Sequence, residues 1–107
     1  MQRTFFTIVL LLLMLSSTFA GTSGKITGVV TDENGAPLIG VNVIIENTNL
    51  GSSTNVDGYY AILNVPPGTY ALVASYIGFS NVKVTDIRVS MNLTRYVDIT
   101  MTSEVLT

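Results

Sequence analysis

From Thr31 to Thr48 the chain reads Thr-Asp-Glu-Asn-Gly-Ala-Pro-Leu-Ile-Gly-Val-Asn-Val-Ile-Ile-Glu-Asn-Thr, a polar turn followed by a strict alternation. After Gly40, Val41, Val43 and Ile45 point to one side, while Asn42, Ile44 and Glu46 point to the other. Period-two patterning of this kind specifies a strand with one buried face. Gly35 follows Asn34, at the position where a tight reversal most readily requires φ > 0. Pro37 has a fixed φ and no N–H, which puts it outside any central strand. The same punctuation recurs at Asn55-Val-Asp-Gly58, Pro66-Pro-Gly68 and Ile77-Gly-Phe79, each time between short apolar runs.

Taken in order, Lys25–Thr31 is the first strand, with Ile26, Gly28 and Val30 on one face. Gly28 within it signals a close backbone approach or a bulge. Being short and weakened by that glycine, the strand is expected at a sheet edge. A very short strand follows at Ser52–Thr54, then Tyr59–Leu63 with Tyr60 and Ile62 on one face. Thr69–Tyr76 places Tyr70, Leu72, Ala74 and Tyr76 together. In Ser80–Val89, Val82 and Val84 share a register that Asp86 would interrupt, so a bulge is expected to pass the apolar face to Ile87 and Val89. Ser90-Met-Asn92 forms a turn. The last strand, Thr94–Met101, carries Val97, Ile99 and Met101 on one face and Tyr96, Asp98 and Thr100 on the other. Arg95 falls in the apolar register at the rim, its stem packed and its head in water. Six or seven short strands, with no helical periodicity after Ala20, predict an antiparallel all-β sandwich or barrel. Its expected core is Val43, Ile45, Ile62, Tyr70, Leu72, Val82, Val97 and Ile99.

The N-terminus has a different grammar. Met1-Gln-Arg3 is followed by an apolar run from Phe5 to Leu15, broken only by Thr7, and by Thr18-Phe-Ala20. This run is shorter than the ~20 apolar residues that span a bilayer, and it reads as a secretory signal cleaved after Ala20. The expected organisation is a signal peptide at 1–20, a leader at 21–24, the sandwich at 25–101, and a tail or truncated linker at 102–107. Without the signal, Lys25, Lys83, Arg88 and Arg95 stand against seven acids, a net charge of −3 (4 − 7). There is no basic patch, so nucleic acid is excluded as a partner. The chain has no Cys, hence no disulfide, thiolate ligand or Cys nucleophile. A domain of this size buries roughly 60–65% of its unfolded surface, enough for a core that needs no staples.

Catalysis has little to work with. There is no His, so acid–base chemistry would fall to carboxylates. Asp32 and Glu33 read as solvated turn residues, and Asp57 as an Asx-turn former ahead of Gly58. Asp32, Asn34, Asn55 and Asp57 offer oxygens from two loops, but calcium takes six to eight and no spaced loop motif is present. No Ser lies in a nucleophile elbow, and no base is available to activate one. Tyr60, Tyr70 and Tyr76 read as core, and Tyr59 and Tyr96 as scattered exposed rings. Asn92-Leu-Thr94 fits the glycosylation acceptor pattern. No catalytic, cofactor-binding or metal-ligating residue is assigned, and the chain is not expected to be an enzyme.

The ordered series Gly28-Val-Val-Thr-Asp32, Gly35-Ala-Pro-Leu-Ile-Gly40, Val41-Asn-Val43, Thr48 with Gly51, Thr54-Asn-Val-Asp-Gly-Tyr-Tyr60, Pro67-Gly-Thr-Tyr70 and Tyr76-Ile-Gly-Phe79 resembles the carboxypeptidase-regulatory-like domain. That family has a transthyretin-like (prealbumin-like) β-sandwich, and the resemblance implies seven strands in two sheets. Pro37-Leu-Ile-Gly-Val41 and Ser75-Tyr-Ile-Gly-Phe79 look most like the copy that follows the signal peptide of TonB-dependent outer-membrane receptors, ahead of a plug and a transmembrane barrel. The stretch from Ile99 to Thr107 is similar to the junction leading toward that plug. The resemblance implies a non-catalytic, exported, periplasmic module at the outer membrane. It would be the N-terminal extension, or a fragment, of such a receptor, and would contact a protein partner or the adjoining plug and barrel. The alternatives are a stand-alone periplasmic or secreted domain binding carbohydrate or protein, and an accessory domain of a peptidase. Transthyretin-like hydrolases of this fold use His residues, which are absent here, so that activity is not carried over. The catalytic domain of the zinc carboxypeptidases has no counterpart in these residues.

Overall fold

Alternation along each segment determines which side chains go inside. In the computed structural model, which describes residues 22–104, Val41, Val43 and Ile45 are fully buried while Asn42 and Ile44 are exposed. Each such aliphatic side chain contributes about 1.5–3 kcal/mol on burial. The strands are β1 (Gly24–Asp32), β2 (Asn42–Ile45), β3 (Gly51–Ser53), β4 (Tyr59–Val65), β5 (Gly68–Ser75), β6 (Val82–Val89), β7 (Thr94–Tyr96) and β8 (Ile99–Met101). They form two four-stranded sheets, one ordered β4-β1-β7 with β8 also paired to β1, the other β3-β2-β5-β6. The fold is an all-β sandwich. Among the described residues, its buried apolar side chains form one cluster that runs from Ile26 to Met101. The expected signal peptide lies outside the described residues.

The expected bulge in the sixth strand is present. Tyr70 pairs with Ile87 and Leu72 with Val84, so β6 spends three residues where β5 spends two. Asp86 takes up the extra residue at φ 59° and is exposed, and Ile87 and Val89 are buried beyond it. Of the expected core, Tyr70 and Val82 are only half-buried. Both sit where the sheet is ending: Val82 on the edge strand β6, and Tyr70 near the start of β5, with its hydroxyl turned out to the Pro66 carbonyl at 2.6 Å.

Two expectations about the first sheet are overturned. The first strand is not an edge: β1 runs nine residues and lies between β4 on one side and β7 and β8 on the other. Nor is the sandwich wholly antiparallel, because β1 pairs in parallel with both β7 and β8. Gly28 is what permits this arrangement. A Cβ there would stand 1.8 Å from the Val97 carbonyl oxygen, so only glycine lets the two backbones come so close. The last strand breaks at that same point, between β7 and β8, and two side chains repair the break. The Tyr60 hydroxyl donates to the Val97 carbonyl at 2.6 Å, and the Val29 N–H donates to Asp98 Oδ1 at 3.0 Å. Val97, Ile99 and Met101 still face the core, as their alternation requires.

Candidate functional site

The Pro66-Pro-Gly68 turn lies at the end where Val65 pairs with Gly24 and Gly68 with Val89, and the other three punctuated turns gather at the opposite end. The β1–β2 and β3–β4 turns, the β5–β6 turn and residues 102–104 meet there, because β1 and β8 end where β4 begins and β5 ends where β2 and β6 begin. The first two turns are copies of one another. Asp32 Oδ1 accepts from the N–H groups of Asn34 and Ala36, both at 2.9 Å. Asn55 Oδ1 accepts from Asp57 and Tyr59, both at 3.0 Å. In each turn the fourth residue, Gly35 or Gly58, takes a positive φ and donates to the carbonyl of the first. The Asx-turn former of the second loop is therefore Asn55 and not Asp57. The signal for both was the shared pattern Asp/Asn-x-Asn/Asp-Gly, in which the first oxygen reaches forward over the turn.

Thr54 joins these two loops. Buried beneath them, its hydroxyl accepts from the Val41 N–H at 2.9 Å and donates to the Leu38 carbonyl at 2.5 Å. Phe79 pairs across with Ser103, Ser80 N–H donates to the Thr102 carbonyl, and Glu104 N–H donates to the Gly78 carbonyl. Residues 102–104 are thus bonded into the fold, and Ser103 Oγ also donates to Glu33 at 2.9 Å. The Tyr76 and Phe79 rings pack together at 5.5 Å, and Ile77 projects from the tip of their turn, 91% exposed.

What this arrangement does chemically is hold backbone together. Asp32 and Asn55, weighed above as oxygens for a cation and set aside, turn their Oδ1 atoms onto backbone N–H groups. Among the described residues no three Asp or Glu side chains cluster as a metal site would need. Burial raises the phenol pKa of Tyr60, and the Asp98 carboxylate adds to the effect; such a group stays protonated as a hydrogen-bond donor and does not serve as a base. Tyr59 and Tyr96 are exposed, as expected. They share the outer face of the first sheet, Tyr59 opposite Val29 and Tyr96 opposite Thr27.

At the end that holds Pro66-Pro-Gly68 and the Asn92-Leu-Thr94 pattern, the sequence did not bring Arg88 and Arg95 together. There the turn between β6 and β7 brings Arg88 and Arg95 to one cavity, which Ser90, Leu93 and Thr94 also line. A second, open cavity holds the Lys83–Glu46 ion pair, at 2.8 Å.

Two sheets around a single core, with signature residues spent on turns and cross-braces, define a β-sandwich domain. The chain belongs to the carboxypeptidase regulatory-like domain family, whose model matches residues 25–102. It is 38% identical over 85 residues to TonB-dependent receptor P39 of Formosa agariphila, covering 76% of this chain and 8% of the receptor. It is 30% identical over 84 residues to the TonB-dependent receptor SusC of Bacteroides thetaiotaomicron, covering 74% of this chain and 8% of the receptor. Among solved structures, a type II cohesin–X-dockerin complex from Acetivibrio cellulolyticus superposes with a TM-score of 0.66 at 20% identity, over 75% of this chain and 58% of that one. That last likeness is one of fold. Among the described residues, no helix is long and apolar enough to cross a membrane.

Proposed function

We propose that this chain is a non-catalytic, exported module of a TonB-dependent outer-membrane receptor system, acting in the periplasm by protein–protein contact. The observation that carries this reading is the pair of receptor matches, which take in three quarters of this chain and 8% of each receptor. In those receptors the shared region is a small part of a much longer chain, and the same role is assigned here. The absence of His and Cys supports a role without catalysis or metal, and so does the use of the loop carboxylate and amide oxygens as turn acceptors. Ile77, exposed in the turn to which residues 102–104 are bonded, and Ile39, exposed in the β1–β2 turn at the same end, supply apolar surface for contact.

Fractionation of the native cells, probed with an antibody raised against residues 22–104, tests the reading. Signal is expected in the outer-membrane fraction, open to added protease only once that membrane is permeabilised. Signal confined to the cytoplasm overturns the proposal. A second reading, a carbohydrate-binding sandwich, has the shared face of Tyr59 and Tyr96 in its favour. Calorimetric titration of residues 21–107 with calcium, zinc and a panel of oligosaccharides is expected to give no heat. Micromolar binding of an oligosaccharide would favour the second reading instead.

A further inference from the structure

At the end of the sandwich opposite the two Asx turns, β6 and β7 border a cavity of about 280 Å³ lined by Arg88, Ser90, Leu93, Thr94 and Arg95. The two arginines are brought together by the turn in which the Leu93 N–H donates to the Ser90 carbonyl and Asn92 takes φ 58°. Among the described residues the one ion pair joins Lys83 to Glu46, so neither guanidinium has a carboxylate partner. Asp86, the nearest acid to Arg88 along β6, stands in the bulge without pairing. Asp32, Glu33, Asp57 and Glu104 all lie at the other end. In a chain of net negative charge, this cavity is a local concentration of the opposite sign.

A guanidinium is always charged and presents its N–H groups as a planar fork that matches a carboxylate. Two such forks on one cavity, with the Ser90 and Thr94 hydroxyls beside them, make a receptor for an oxyanion. Apolar surface adjoins it: Leu93 is 62% exposed and Met91, in the same turn, 56%. Arg and Met are enriched where proteins meet proteins. No aromatic ring lines the cavity, so a sugar would have nothing to stack on. We infer that this cleft receives an acidic side chain of a protein partner, with an Asp or Glu carboxylate held by Arg88 and Arg95 and flanking apolar residues lying on Met91 and Leu93. The inference rests on the protein-contact reading above and gives that partner a chemistry.

The test is an NMR titration of ¹⁵N-labelled residues 21–107 at constant ionic strength. The probes are acetyl-Leu-Glu-Glu-Leu-amide, its Gln counterpart acetyl-Leu-Gln-Gln-Leu-amide, glucuronate and inorganic phosphate. The Glu peptide should give saturable shifts at the Ser90, Leu93 and Thr94 amides and bind about tenfold more tightly than the Gln peptide. Arg88→Ala and Arg95→Ala should each weaken it by about tenfold, and Lys83→Ala should leave it unchanged. Equal binding of the two peptides, or indifference to both arginine substitutions, overturns the inference. So does glucuronate or phosphate binding as tightly as the Glu peptide, which would make the cleft a site for an acidic sugar or a free anion. The titration reads the isolated domain and fractionation reads its location, so either reading can fail without the other.

Discussion

The Tyr60 ring is closed into the core while its hydroxyl donates to a carbonyl that Gly28 has allowed unusually close. Burial, with the Asp98 charge nearby, raises the pKa of that phenol. The consequence for stability has a definite sign. Below about pH 10, the ordinary tyrosine pKa, both folded and unfolded chains keep the proton and the contribution of Tyr60 is complete. Above it the unfolded chain releases the proton and the folded one retains it, so this contribution falls by up to about 1.4 kcal/mol per pH unit. Urea unfolding midpoints between pH 8 and pH 11 should show the decline, and Tyr60→Phe should lose the part due to this group. At neutral pH the same substitution should cost about 1–3 kcal/mol, because it leaves the Val97 carbonyl without its partner. A Phe variant that matches the wild type at neutral pH would show that the bond contributes nothing.

At the scale of turns and strands, the two Asx turns show why residue type alone misleads. Asp57 carries the charge and precedes the glycine, yet the acceptor that organises the loop is Asn55, three positions before Gly58. Asn55→Ala removes two hydrogen bonds to backbone and should destabilise by about 1–2 kcal/mol. Asp57→Ala, at an exposed position whose N–H and not its side chain takes part, should stay within about 0.5 kcal/mol. Chemical denaturation of the two variants compares them directly, and the reverse order would return the role to Asp57. The bulge in β6 works at this scale as well. By absorbing Asp86 it keeps a carboxylate out of the core and restores Ile87 and Val89 to it.

The whole molecule has two unlike ends and one core. The acidic end is locked by the signature loops and residues 102–104, and the basic end is an open cleft. Between them the stability rests on buried side chains from both sheets, and Leu72 is among the largest that are fully closed off. Leu72→Ala should cost about 2–5 kcal/mol, whereas Thr94→Ala, exposed on β7, should change little. Thermal or urea melts of the two measure this; equal losses would mean that the face assignment of β5 is wrong.

Faces, turns and the bulge were legible in the sequence because they are local. Alternation assigns a side to Val43, Leu72 or Ile99 without reference to any neighbour, and a carboxylate in an apolar register forces a bulge wherever its strand lies. The order of punctuated segments carried the family resemblance in the same way. Pairing was not legible, because a strand does not encode which partner it meets. Gly28 looked like a weakness suited to an edge, yet the fold uses it to bring the Val97 backbone, far along the chain, beside a central strand. Tyr70 and Val82 alternate like core residues, but the sheet ends beside them and leaves part of each exposed. Arg88 and Arg95 lie on different strands, and only the closing of the sandwich at β6 and β7 makes two separate surface charges into one cleft.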